Sequence, residues 1–264
     1  MRQRLGQHFL KDQAVIEKIA DSMTYKKGET IVEVGPGKGV LTAALLERGA
    51  RVIAIEWDEQ LAVDLIERFP DHQNLQVVQA DIRSFDLIRH LKKEKIAKYN
   101  IAANLPYYLS SFFLRQVFQY AVLPQHMVLL LQREVAERLV ASPGSSDRSV
   151  LSVMTQLYST QKIVQLVPAS AFVPPPKVES AVVVFTEISN PFNSYNETKS
   201  FFRLIKAGFG AKRKTILNAL SGGLHMEKSH IEQILSSIKI DPNVRAQDLT
   251  LEQWRALHQT LGDV

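Results

Sequence analysis

The stretch Gly35-Pro36-Gly37-Lys38-Gly39 constrains this chain more than any other. A short apolar run, residues 31–34, precedes it. From 40 to 46 the apolar residues recur with a helical period, and Gly49 stops them. Three glycines in five residues between a strand and a helix let backbone approach a ligand with no Cβ in the way. At the first βα turn of a doubly wound sheet, such a loop builds a nucleotide-binding crevice. Similar alternation continues downstream. Residues 52–55 predict a buried strand, Asp58 a cap for a helix through Arg68, and 75–78 a third strand. A fourth strand ends at 101–103, a helix follows over 112–122, and a fifth strand covers 127–131. This spacing predicts a parallel α/β sheet. A helix from Arg133 to about Val140, a helix over 149–158 and two late strands (163–167 and 181–185, paired antiparallel) complete the pattern.

The class of nucleotide can be narrowed by spacing. A P-loop needs a glycine, four intervening residues, then Gly-Lys-Ser/Thr, and this loop lacks that pattern. The dinucleotide fingerprint wants its third glycine at relative position six, where Val40 stands. An NAD oxidoreductase is further disfavoured because no acid–base pair for hydride transfer accompanies the loop. The spacing favours S-adenosylmethionine, whose neutral adenosine end needs no pyrophosphate seat, with Gly35 and Gly37 against it. Glu56, 21 residues after Gly35 at the end of the second strand, is placed to accept both hydrogen bonds of a ribose diol. Asp81, after the third strand, suits the amino group of an adenine.

Asn104-Leu105-Pro106-Tyr107-Tyr108 follows the fourth strand at the same edge, where a substrate must meet the cofactor. Methylation of an exocyclic amine needs both N–H bonds held and the lone pair aimed at the methyl. The Asn104 amide oxygen can accept one hydrogen bond and the Leu105 carbonyl the other. Pro106 disfavours helical geometry at Leu105, which turns that carbonyl outward. Tyr107 offers a face for a base, and Phe172, fixed in a loop by Pro174, Pro175 and Pro176, offers a second. No strong base is required, because the amine becomes acidic only after methylation. Positioning and electrostatics carry the rate.

With these residues in place the chain resembles the bacterial KsgA-type small-subunit (16S) rRNA adenine dimethyltransferases over nearly its whole length. The motifs are GQHFL at 6–10, VEVGPGKGVLT at 32–42, Glu56, Asp81, NLPYYLSS at 104–111, FVPPPKVES at 172–180 and FGAKRKTILNAL at 209–220. The resemblance implies a Rossmann-like class I S-adenosylmethionine-dependent methyltransferase sheet followed by a small all-helical domain. It implies that His8, Leu10 and Gly35 help hold the cofactor, with Glu56 on the ribose and Asp81 on the adenine. Asn104 and Leu105 would then position the target amine, with Tyr107 and Phe172 stacking the base. The implied substrate is two adjacent adenosines near the 3′ end of the small-subunit rRNA, each converted to dimethyladenosine.

Composition sets the remaining bounds. The absence of cysteine among 264 residues excludes disulfides, thiolate metal sites and cysteine nucleophiles. The seven histidines show no metal spacing, so no catalytic metal is expected. No apolar run is long enough to span a membrane, and the N-terminus lacks a secretory core, so a cytoplasmic protein is expected. The polar stretch 188–198 reads as a linker between a catalytic domain of residues 1–190 and a helical RNA-binding domain of residues 191–264. In the latter, helices are predicted over 199–209, 213–220, 227–236 and 251–261. The net charge of +5 is densest there: residues 191–264 carry ten basic and seven acidic side chains. Lys206, Lys212, Arg213 and Lys214 are the candidate phosphate contacts; Arg2, Arg4 and Lys11 give the N-terminus a similar character. The expected partner is small-subunit rRNA in a pre-ribosomal 30S particle, bound by a monomer. Two rivals remain: a large-subunit rRNA methyltransferase of the macrolide-resistance type, and a ribosome-assembly factor acting mainly by binding.

Overall fold

A computed structural model of the chain describes residues 8–262. Arg2, Arg4 and the first two residues of the GQHFL motif lie outside the described residues. The elements in order are β1 (Phe9–Leu10), α1 (Gln13–Asp21), β2 (Thr30–Val34), α2 (Val40–Glu47), β3 (Arg51–Glu56), α3 (Glu59–Arg68), β4 (Leu75–Gln79), α4 (Leu87–Lys93), β5 (Tyr99–Asn104) and α5 (Ser110–Val117). There follow β6 (Met127–Gln132), α6 (Arg133–Leu139), α7 (Val150–Tyr158), β7 (Thr160–Val167), β8 (Phe172–Val173) and β9 (Ser180–Thr186). Four helices end the chain: α8 (Tyr195–Phe209), α9 (Ile216–Leu224), α10 (Lys228–Ser237) and α11 (Leu251–Leu261).

Seven strands form one sheet in the order β4-β3-β2-β5-β6-β9-β7. The first five run parallel, and β9 runs antiparallel to both β6 and β7. The central strands are mostly apolar because both faces are covered: every residue of β2 is buried, Thr30 and Glu33 included, as are Val52–Glu56 and residues 127–131. The edge strands β4 and β7 are only partly covered and mix polar with apolar residues. The sheet, its parallel order and the late antiparallel pair match the sequence expectation.

Several boundaries differ. The helix expected over 112–122 begins at Ser110, straight out of a 3₁₀ turn at Tyr107–Leu109, and ends at Val117, where the Phe118 amide bonds back to Leu114. The helix expected from 213 starts at Ile216, because Thr215 caps it by accepting from the Asn218 amide. Two helices were not predicted. In α1, Asp12 accepts from the amides of Ala14 and Val15, and Val15, Ile16, Ile19 and Ala20 face the core. In α4, Asp86 caps and Leu87 and Leu91 are buried. Phe172, expected in a loop, lies instead in β8, which pairs with β1 (Leu10 opposite Phe172, Phe9 opposite Val173).

The domain boundary also needs correction. The chain divides into two units. One holds the described residues up to Ala136 with Ser159–Ser189; the other holds Glu137–Tyr158 with the described residues from Asn190 onward. The expected break at 190 therefore coincides with the last crossing, but 137–158 groups with the C-terminal helices. The reason is packing. The Tyr158 ring meets Phe192 edge-on at 6.1 Å, and Phe192 meets Phe201 at 5.1 Å and His258 at 5.9 Å, giving α7 an aromatic core shared with α8 and α11. In the same unit Gly208 faces Trp254, a wholly buried indole on α11.

Candidate active site

Parallel pairing aligns the carboxyl ends of β2, β3, β4 and β5 at one edge. Val34 lies opposite both Ile55 and Ala103, and Glu56 opposite Gln79. Gly35, Glu56, Asp81 and Asn104 therefore emerge together, and all four line one cavity of about 530 Å³. His8, Leu10, Gly37, Leu105, Tyr107 and Phe172 line it as well. Every expected cofactor and target-base residue is thus brought to a single site within the first unit. The four basic candidates, Lys206, Lys212, Arg213 and Lys214, belong to the second unit and are all exposed. Lys212, Arg213 and Lys214 sit in the turn before α9 rather than on a helix.

The glycine loop has separable duties. Gly35 has φ +72°, and a Cβ there would touch the Asn104 backbone oxygen at 3.4 Å. Gly39, at φ +73°, faces inward, and a Cβ would strike Leu65 of α3 at 2.5 Å. The third glycine is therefore a packing residue, and Gly35 and Gly37 are the ones on the cavity.

Glu56 is only 3% exposed, and burial pushes its pKa up. Opposing that, Oε2 accepts from the Gly37 amide at 3.1 Å and Oε1 from the Asp58 amide at 3.1 Å. Each oxygen retains acceptor capacity toward the cavity. The two bonds fix the carboxylate's orientation and tie the tip of β3 to the glycine loop. Beneath the loop, Glu33 is completely buried, and its Oε2 accepts from the Thr42 hydroxyl at 2.6 Å. Burial, helped by the nearby Glu56 charge, pushes its pKa up to about 7.

Asn104 ends β5, half-buried, and among the described residues its side-chain amide has no hydrogen-bond partner. Leu105 is buried against the core and Tyr108 is exposed. The Tyr107 hydroxyl shares a 2.9 Å hydrogen bond with Ser180 Oγ, which fixes the ring at the cavity wall. His8 is held by Nδ1, which donates to the Pro174 carbonyl at 2.7 Å, and its ring stacks near Tyr107 at 6.1 Å. The β1–β8 pairing carries His8 there from the far end of the chain. Phe172 is 2% exposed, a fixed part of the wall rather than a free platform.

Sequence reasoning missed four participants. Ser180 and Pro174 orient known candidates, and only the fold pairs them. Trp57, an exposed indole directly after Glu56, lines the cavity. Arg83 grips the Asp81 carboxylate, donating from Nε at 3.0 Å to Oδ1 and 2.9 Å to Oδ2. Among the described residues no group of three or more metal-ligating side chains forms, and no helix is long and apolar enough to cross a membrane.

The architecture is that of an α/β Rossmann-like methyltransferase with a C-terminal helical region. It is shared with a crystal structure of a dimethyladenosine transferase from Plasmodium falciparum, at TM-score 0.80 and 25% identity over 95% of this chain and 96% of that one. The crystal structure of 23S rRNA methyltransferase ErmE has the same fold, at TM-score 0.73 and 24% identity over 96% and 99%. Sequence comparison is more specific. The family model for ribosomal RNA adenine dimethylases matches residues 1–263. The ribosomal RNA small subunit methyltransferase A of Dehalococcoides mccartyi is 40% identical over 256 residues, 97% of this chain and 87% of that protein. Its counterpart in Alkaliphilus oremlandii is 39% identical over 261 residues, 98% and 91%. The chain belongs to the ribosomal RNA adenine dimethylase family, as its motifs led us to expect.

Proposed function

We propose that this enzyme transfers methyl groups from S-adenosylmethionine to the exocyclic amines of two adjacent adenosines near the 3′ end of small-subunit rRNA, giving dimethyladenosine. The reading rests above all on the Asn104 amide, which lines the cavity and has no hydrogen-bond partner among the described residues. The residues around it fit the cofactor. Glu56 presents an oriented carboxylate for the ribose hydroxyls, Asp81 a carboxylate for the adenine, and Gly35 and Gly37 an approach free of Cβ atoms. His8 and Leu10 close the same wall.

When bound, the cofactor supplies an electrophilic sulfonium methyl. The protein's part is to orient the nucleophile. Asn104 Oδ1 and the Leu105 carbonyl hold the amine's N–H bonds, directing its lone pair. Tyr107, braced by Ser180, offers the face for a base taken out of its stack, and Phe172 is a fixed part of the surrounding wall. None of these groups is a strong base, and none needs to be. The proton leaves an already methylated, acidic nitrogen.

The names of the curated relatives favour the small subunit as the substrate. The exposed Lys206, Lys212, Arg213 and Lys214 supply phosphate contacts in a helical RNA-binding unit. A monomer acting on a pre-ribosomal 30S particle in the cytoplasm completes the proposal. The deciding assay is transfer of labelled methyl onto unmethylated small and large subunits. Label confined to small-subunit adenosines is expected. Label on the large subunit would favour the macrolide-resistance type, and binding without transfer would favour an assembly factor.

A further inference from the structure

Asp81 is assigned above to the cofactor's adenine, yet its carboxylate is already engaged. Three N–H groups of one residue, Arg83, occupy it. Nε donates to both oxygens, Nη2 donates to Oδ2 at 2.5 Å, and the Arg83 backbone amide donates to Oδ1 at 2.9 Å. A carboxylate offers about four acceptor positions, so little is left for an incoming amine. The guanidinium also holds the Asp81 carboxyl below the usual carboxylate range, which keeps it charged and the pair intact.

The pair is nonetheless an exposed one, with the Asp81 side chain 34% and the Arg83 side chain 56% accessible. Such ion pairs are weak and readily exchanged. Arg83 also lines the same cavity as Asn104, Tyr107 and Tyr108, and Tyr108 is close enough to act on it electrostatically. A displaced Arg83 guanidinium would therefore stand beside the groups assigned to the target nucleotide. Its planar donor fork fits a phosphate as well as a carboxylate.

We propose that Arg83 occupies the adenine anchor in the free protein and passes to an RNA backbone phosphate when the cofactor takes Asp81. This rests on the cofactor and substrate assignment given under Proposed function. It makes the two ligands mutually reinforcing. The cofactor frees a cation for the RNA, and the RNA holds that cation away from Asp81. By linkage each must tighten the other by the same factor.

The test is equilibrium dialysis of labelled S-adenosylhomocysteine, which avoids turnover, against the full-length protein and its Arg83→Gln variant. Each is measured alone and with saturating 30S subunits that lack dimethyladenosine. For the wild type, the subunits should tighten S-adenosylhomocysteine by about two- to five-fold, the range of an exposed ion pair. R83Q alone should bind it tighter than wild type by a similar factor, and adding subunits should bring no further gain. Unchanged affinity in R83Q, or coupling that survives the substitution, would overturn the role of Arg83 while leaving the cofactor site standing. If neither protein binds S-adenosylhomocysteine, the cofactor assignment itself fails, and this inference with it.

Discussion

Asn104 sits where β5 gives way to a turn, and its neutral amide can orient an amine without deprotonating it. Asn104→Ala should lower methyl transfer by about 10²–10³-fold, the usual cost of removing a transition-state hydrogen-bonding group. Binding of S-adenosylhomocysteine should stay within a few-fold of wild type; a parallel loss of both would contradict the positioning role. Glu33 makes a different forecast. Its carboxyl, at 4.5 when unfolded and about 7 when folded, retains its proton in the native state across that interval. The native state thus binds more protons than the unfolded one, so stability falls as pH rises from about 4.5 to 7 and levels off above it. The loss is at most about 3 kcal/mol. Glu33→Gln should remove this contribution, leaving chemical-denaturation midpoints at pH 5 and pH 8 closer together than in wild type.

At the scale of elements, what could be read from sequence followed from local signals. The glycine loop, the Asp58 cap and the apolar runs of β2, β3 and β6 each carry their structure in a few consecutive residues. The cap at Asp12 and the spacing of Val15, Ile16 and Ile19 are equally local signals for α1, which lies just past the GQHFL motif and is not among the expected helices. By contrast, β1 and β8 are two residues each and far apart in the chain, so no periodicity could announce them. That pairing is what turns His8 and Phe172 from isolated candidates into walls of one site. The Asp81–Arg83 grip was hidden for another reason: a carboxylate predicted as a ligand gives no sign of an existing partner. Helix packing supplies a prediction as well. A Cβ on Gly208 of α8 would meet Trp254 of α11 at 2.5 Å. Gly208→Ala should therefore cost about 1–3 kcal/mol by overpacking, visible as a lowered thermal midpoint of the helical unit.

For the molecule as a whole, the basic residues of the second unit predict how RNA binding responds to salt. Replacing Lys212, Arg213 and Lys214 together by glutamine should flatten the slope of log affinity against log salt by up to about three, roughly one for each phosphate no longer neutralised. An unchanged slope would mean that this turn faces away from the RNA. The contribution of the second unit cannot be isolated by simple truncation, because the backbone passes between the units three times, after Ala136, Tyr158 and Ser189. A stop codon at 190 would strand α7 with its aromatic face bare, and a fragment starting at 191 would lack Tyr158 beneath Phe192. Neither half is a cassette that recombination could graft onto an unrelated methyltransferase in one cut. Changes to the C-terminal helices are therefore tied to residues 137–158, which belong to the same unit.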